Sequence, residues 1–227
     1  MGTSFQWNFV REILPQLLRA SVVTVELTVL AIAIGLVIGL VVTLARMSRF
    51  KPLAWLAVSY VEFFRGTPLL VQIFIIHYAV SDIFGYTPVP FISAFAALGV
   101  NSGAYIAEIF RGGIQAIDRG QMEAARSLGM RWGQAMRYII LPQAFKVSVP
   151  ALGNEFIALL KDSSLVTVIS VIELMTQGRM IVGARPRYTE VWFTVAIIYL
   201  LMTRTISLLV NRLERRLKTG DHSEKSL

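Results

Sequence analysis

Cysteine is missing from all 227 residues of the chain. That excludes a disulfide framework, a thiolate zinc site and a cysteine nucleophile, and it leaves the redox compartment open. Charge is scarce as well, at 16% of residues against 55% hydrophobic, and the mean hydropathy is +0.62. A single soluble core does not need that much apolar surface, so the chain is expected in lipid. Also absent are the phosphate-loop pattern Gly-x-x-x-x-Gly-Lys-Ser/Thr and the hydrolase patterns His-Glu-x-x-His and Gly-x-Ser-x-Gly. The chain is therefore not expected to hydrolyse ATP, or to act as an enzyme, by itself. The beginning lacks the basic stretch, short apolar core and small-residue cleavage site of a signal peptide, and the first long apolar run is expected to be retained.

What is present is apolar sequence in long runs. A span needs about 20 mostly apolar residues to cross a hydrocarbon core of about 30 Å. Five stretches qualify: 20–44, 53–80, 91–110, 147–172 and 191–210. The connection 111–146 is too polar to cross, while 81–90 and 173–190 read as short links with Gly and Pro. The fold class predicted is an all-α integral membrane protein with five transmembrane helices in a single domain over 1–227. Within it, 1–19 is an amphipathic amino-terminal segment, 20–211 the transmembrane core and 212–227 a basic cytoplasmic tail. Segment 1–19 is expected to lie in the outer membrane interface, as a lipid anchor or as a brace for a partner subunit.

Lys and Arg set the orientation, because cytoplasmic loops hold an excess of them. With the amino terminus outside, segments 45–52, 111–146 and 211–227 are cytoplasmic and hold fourteen basic residues, Lys225 among them, against five in the outer segments. The carboxyl terminus is then inside. The net charge of +8 sits between membrane-length apolar runs and not on a soluble face, so no nucleic-acid partner is expected.

The long cytoplasmic loop reads as a docking hairpin between spans 3 and 4. Glu123, Ala124, Ala125 and Arg126 follow a run of helix formers, and Gly129 is placed to end that helix in a left-handed cap. A second short helix is expected from about Arg131 to Leu141, stopped by Pro142. Ala124 and Ala125 would let a partner's backbone approach, and Arg126, Arg131 and Arg137 would meet acidic groups on it.

Polar residues inside spans are costly in lipid and are expected to face a protein interior or an aqueous path. Gly66, Thr67 and Pro68 predict a local break that presents free backbone groups to a solute. Glu62 and Arg65, at i and i+3, are expected to pair with each other. Glu155 and Asp162 lie seven residues apart, about 10 Å along one helix face, which suits a cationic or amine-bearing solute. Pairing of these carboxylates with Lys161, Arg65 or Arg204 is the alternative, and Asp162, Ser163 and Ser164 are also placed to cap a restarted half-helix. Asn101 and Tyr105 share a face and suit a zwitterion, while Gly99, Ser102, Gly103 and Ala104 suit close helix packing. His77 reads as a satisfied interior histidine, and no metal site is expected.

These patterns together resemble one family. Glu123-Ala124-Ala125, then Gly129, Ile139 and Leu141-Pro142 at their spacings resemble the cytoplasmic EAA motif of bacterial ABC importer permeases. Arg65-Gly66-Thr67-Pro68-Leu69-Leu70-Val71-Gln72 and Leu141-Pro142-Gln143-Ala144-Phe145 are similar to the polar amino acid subgroup, which includes histidine, arginine, glutamine and glutamate permeases. Asn154-Glu155-Phe156 and Lys161-Asp162-Ser163-Ser164-Leu165 also match, and the resemblance runs from about 20 to 215. It implies a multi-pass subunit of the bacterial cytoplasmic (inner) membrane that takes amino acids inward. It also implies a second copy of this chain or a similar permease subunit, a cytoplasmic ABC ATPase dimer that holds ATP and Mg, and an external substrate-binding protein. No cofactor is expected on this chain itself. The polar residues within the spans, together with the break, give as candidate substrate-binding residues Glu155, Asp162, Asn101, Tyr105, Gly66, Thr67, Pro68 and Leu69. The ATPase-coupling residues would be Glu123, Ala124, Ala125, Arg126, Gly129, Arg131, Leu141 and Pro142. Two other classes compete. A secondary transporter or channel would use the intramembrane carboxylates for protons or cations, but commonly shows an inverted repeat that this sequence lacks. A scaffold holding anionic lipid has no need of the hairpin.

Overall fold

The computed structural model describes residues 5–218. Residues 1–4 of the expected amino-terminal segment, and the expected basic tail from 219 on with Lys225, lie outside them. Among the described residues all the regular structure is helical. In chain order these are α1 (Trp7–Arg46), α2 (Lys51–Gly66), α3 (Leu69–Phe74), α4 (Val80–Phe84), α5 (Pro90–Gln115), α6 (Arg119–Ser127), α7 (Trp132–Ala135), α8 (Leu141–Asp162), α9 (Leu174–Ala184) and α10 (Tyr188–Lys218). Wide π turns join α3 to α4 and α7 to α8, and a 3₁₀ segment, Ser163–Ile169, follows α8.

The amino-terminal segment and the first expected span form one helix. Phe9, Ile13, Leu17, Ala20, Thr24, Leu27, Ala31, Gly35, Gly39 and Thr43 are all buried, and their three-and-four spacing draws an unbroken stripe along α1. Pro15 removes one backbone donor without ending the helix. At 40 residues the helix is about 60 Å long, roughly twice the hydrocarbon thickness, so its first turns extend beyond the apolar run.

α1 packs most extensively on α5, and small residues on both sides make that approach possible. A Cβ added at Gly39 would lie 2.6 Å from Ile106 Cγ2, and one at Gly103 would lie 2.7 Å from Ile38 Cγ2. Glycine is what lets the two backbones come this close. Leu27, Ala31, Ile73, Ala97, Leu98, Leu159, Val166 and Val171 fill the centre, bringing α1, α3, α5, α8 and the 3₁₀ segment into one apolar cluster. A second cluster joins the start of α1 to α9 and α10 through Phe9, Ile13, Leu17, Leu174 and Val191.

Three helices, α1, α5 and α10, are long and apolar enough to cross a membrane, and a fourth crossing arises if α2 with α3–α4 counts as one span bent by 108°. The stretch predicted as the span 147–172 departs from a plain helix. Its helix starts at Leu141, ends at Asp162, tightens into the 3₁₀ segment and turns at Ser170 with φ 62. The expected link 173–190 also holds a helix, α9, started by the Glu173 carboxylate, which accepts from the backbone amides of Met175 and Thr176.

The hairpin's second half departs from expectation too. Pro142 does not end a helix but sits in the first turn of α8, where its missing N–H is no loss. The chain widens into the π turn Met136–Ile140 just before it, with the Leu141 amide donating five residues back to Met136. The Gln143 side chain donates to the Ile139 carbonyl at 2.9 Å.

Candidate functional site

The first helix interruption is built from Arg65-Gly66-Thr67-Pro68-Leu69. α2 ends at Gly66, and Pro68, with φ −64 and ψ 134, starts α3 in a new direction. A helix that stops leaves its last carbonyls without amide partners. Here Gln72 supplies the donors. Its Nε2 lies 2.9 Å from the Phe64 carbonyl, 3.1 Å from the Thr67 carbonyl and 2.8 Å from Thr67 Oγ1. Asn101 Nδ2 completes the set, donating to Gln72 Oε1 at 2.8 Å and reaching the Phe64 carbonyl at 3.3 Å. Gln72 is 2% exposed and Asn101 6%. The Phe64 and Thr67 carbonyls at this break are thus already engaged within the chain. Gly66 itself faces open space, since nothing lies within 4 Å of where its Cβ would be.

Glu155 on α8 hangs from α5. Its Oε1 accepts from Ser102 Oγ at 2.8 Å, and its second oxygen accepts no hydrogen bond from a described residue. The side chain is half-buried. Asp162 lies at the other end of the same helix, exposed, and caps nothing through its side chain. Tyr105 is partly exposed beneath Arg65, whose Cζ stands 5.4 Å from the ring centroid. Arg65 does not pair with Glu62 as expected. It leans instead toward Glu108, with Nη1 3.7 Å from Oε2, in a cluster that also contains Arg46 and Arg111. α5 is the common support: Asn101 meets the break, Ser102 meets Glu155, Tyr105 meets Arg65, and Glu108 meets the arginines, all within about 10 Å of helix.

The hairpin is a second surface. Asp118 starts α6 by accepting from the Gly120 amide at 2.7 Å. The helix ends as the sequence predicts: Gly129 adopts φ 84, its amide donates to the Arg126 carbonyl, and the Met130 amide donates to the Ala125 carbonyl, the paired bonds of a left-handed helix end. Glu123, Ala124, Arg126 and Arg131 are exposed. Ala125 is not, being buried against its own chain, so only Ala124 of the pair offers a small surface to a partner. Leu141 and Pro142 are exposed at the start of α8. Leu128, 84% exposed, stands at the turn, and Trp132, four residues on, is exposed as well.

Sequence reasoning overlooked the roles of Gln72, Ser102, Glu108 and Leu128. Gln72 ends the motif that contains the break, and a side-chain amide four residues past a proline is the signal that was available. Ser102 passed as a packing residue because it is small. Leu128 precedes the glycine turn, where apolar side chains have no shelter.

A family model described as "binding-protein-dependent transport system inner membrane component" matches residues 35–219. Among curated relatives, the arginine transport system permease protein ArtQ of Bacillus subtilis is 38% identical over 208 residues, covering 92% of this chain and 95% of that protein. The glutamine transport system permease protein GlnP of Escherichia coli is 40% identical over 215 residues, covering 94% and 98%. A crystal structure of an amino acid ABC transporter with histidines superposes with a TM-score of 0.90 at 45% identity, over 94% of this chain and all of that one, 100%. The inward-facing MetNI methionine ABC transporter shares the fold, with a TM-score of 0.78 at 22% identity over 91% and 98%. The helix interruption, the carboxylate on α8 and the exposed hairpin therefore lie in a chain that belongs to the family of binding-protein-dependent transport system inner membrane components.

Proposed function

We propose that this chain is the permease subunit of an ATP-binding cassette importer that carries polar amino acids across a bacterial cytoplasmic membrane, with α5, α8 and the Gly66–Leu69 break lining the path. It spans the membrane five times, amino terminus outside and carboxyl terminus inside, with α8 and the bent α2–α4 segment as the two irregular crossings. A second copy or a similar permease faces it, an ATPase dimer with ATP and Mg docks on the hairpin, and an external binding protein delivers substrate. Glu123, Ala124, Arg126, Arg131 and Leu128 meet the ATPase, and Gly129 sets the turn that presents them. Leu141 and Pro142 begin α8, the helix that links the hairpin to Glu155. The names of the relatives and the match over most of both chains support the amino acid class.

The observation that carries the reading is Glu155. A half-buried carboxylate amid apolar helices has one oxygen held by Ser102 and one oxygen unused among the described residues. Such a group needs a cationic partner, and the ammonium or basic side chain of a transported amino acid supplies one. Asp162, exposed at the far end of α8, is the next carboxylate on the same route. In vesicles containing the permease with its ATPase and binding protein, Glu155→Gln should lower affinity for arginine or lysine at least about tenfold, the loss of one charge-assisted hydrogen bond. The measurement is competition of arginine or lysine against glutamine for uptake at matched assembly. An unchanged affinity and preference would remove Glu155 from the path.

A further inference from the structure

Three arginines converge on one carboxylate at the lower part of α5. Arg111 holds both oxygens of Glu108, through Nε at 3.2 and 3.1 Å and through Nη2 at 2.6 Å. Arg46, from the last turn of α1, bonds Oε1. Glu108 is then saturated. Arg65 arrives third, and its 3.7 Å approach to Oε2 is outside hydrogen-bond reach. It donates no hydrogen bond to any described residue; its guanidinium stands over the Tyr105 ring, and its side chain is 44% exposed. The cluster therefore holds three cations against one anion; Arg46 donates a single hydrogen bond to it and Arg65 none.

A surplus guanidinium among apolar helices calls for an anion, and its neighbour on α5 indicates which. Arg65 stands between Tyr105, three residues from the Ser102 that holds Glu155, and Glu108, six residues from it, so the two levels differ by about 4.5–9 Å along the helix. One level presents a carboxylate with an unused oxygen, and the next presents an unused planar fork. That is the charge order of an α-amino acid, whose ammonium and carboxylate sit on one carbon.

We infer that Arg65 is the residue that binds the α-carboxylate of the transported amino acid, its guanidinium steadied on the Tyr105 ring while Glu155 takes the cationic group. Glu108 and Arg111 act as positioning residues, because their mutual bidentate pair keeps Glu108 from capturing Arg65. The inference rests on the reading of the chain as an amino acid permease. It adds that the path selects for a free carboxylate independently of the external binding protein.

The test uses the purified permease–ATPase complex without the binding protein, in neutral lipid nanodiscs, with equilibrium binding of L-arginine and L-argininamide as probes. The wild type should bind the acid at least about tenfold more tightly than the amide, because a bidentate carboxylate pair is lost in the amide. Arg65→Lys keeps the charge but loses the planar fork and the stacking; it should weaken binding of the acid about tenfold and leave the amide unchanged. An acid-to-amide ratio near one in the wild type would overturn the inference without recourse to any variant. Equal loss of both probes in Arg65→Lys would overturn it in favour of a structural role. An effect of Arg65→Lys that appears only when phosphatidylglycerol is added would overturn it in favour of a lipid headgroup. If neither probe binds the wild type and Glu155→Gln changes nothing, the amino acid path itself fails and the inference falls with it. Selective loss of arginine in Glu155→Gln with no acid preference would instead spare the path and reject Arg65 alone.

Discussion

At the interruption between Gly66 and Leu69 the backbone groups that distant side chains meet are carbonyls; at the one between Ile169 and Leu174 they are amides. The chain answers each with a buried side chain of the matching kind. Gln72 and Asn101 donate to the Phe64 and Thr67 carbonyls. Glu173, 0% exposed, accepts from the amides of Met175 and Thr176 at 2.9 and 2.7 Å, from the Thr176 hydroxyl, and from the Tyr199 hydroxyl at 3.1 Å. The Leu174 amide is taken by Thr24 on α1. A carboxylate suits a helix start, where the macrodipole is positive, while a neutral amide suits the end of α2. The second interruption ties α1, α9 and α10 together, whereas the first leaves Gly66 facing open space. The second knot is closed within the chain, and the proposed path would run beside the first.

The largest effect should come from breaking the scaffold knot. Glu173→Ala leaves two backbone amides and two hydroxyls short of their buried acceptor, a loss of about 3 kcal/mol or more. In a chain of this size that is a fall of roughly 10 °C in the unfolding midpoint of the detergent-solubilised complex. Glu173→Gln keeps one acceptor oxygen and should recover part of the loss. If Glu173→Ala melted within a degree or two of wild type, the carboxylate would not be the clasp of α9.

Gln72 should come next and should respond to the opposite exchange. Gln72→Leu takes a donor from the half-buried Phe64 and Thr67 carbonyls and the acceptor from the Asn101 amide, leaving only the 3.3 Å Asn101–Phe64 bond of the set, at about 2 kcal/mol. Gln72→Glu should be worse than Gln72→Leu, since it points a second acceptor at carbonyls 2.9 and 3.1 Å away. The pairing of results sharpens the contrast: amide to acid is damaging at the first knot, and acid to amide is mild at the second. Thermal unfolding of the four variants side by side checks it, and equal tolerance of Gln72→Glu and Glu173→Gln would break the distinction.

How much of this was legible in the sequence depends on the range of each interaction. The Gly129 turn was readable because a left-handed helix end is decided within six residues. The apolar helices α1, α5 and α10 were readable from run length. The union of 7–19 with the first span was not, because the eye stops at Arg11, Pro15 and Arg19 while the buried stripe from Phe9 to Thr43 passes between them. α9 was hidden for a similar reason: its Gln177 and Arg179 read as a polar link, and the Glu173 cap that starts it needs Thr24 and Tyr199, far away in sequence, to complete its surroundings. Glu155 is a candidate on sequence alone because a carboxylate in an apolar run stands out. Ser102, its partner, has no such mark. The expected Glu62–Arg65 pair failed because Arg65 turns over the Tyr105 ring and toward Glu108, 40 and 43 residues further on.

The smallest expected effect on stability falls at Gly66, and there it separates the two roles most cleanly. Glycine is usually required either by a left-handed backbone or by a neighbour too close for a Cβ. Gly66 meets neither condition: among the described glycines only Gly85 and Gly129 have positive φ, and nothing lies within 4 Å of its missing Cβ. A glycine at the end of a helix also forgoes the propensity that alanine would add, up to about 1 kcal/mol in a helix interior. Gly66→Ala should therefore unfold at wild-type temperature or slightly above, with a change within about 0.5 kcal/mol. If the space it faces is the path, uptake should still fall, and more for arginine than for a smaller amino acid, with Gly66→Leu exaggerating the ratio. Uptake rates for the two substrates in vesicles, set against the melting temperatures of the same preparations, give the answer. A Gly66→Leu variant that stays folded and carries both substrates at the wild-type ratio would mean that the first knot, like the second, is scaffold.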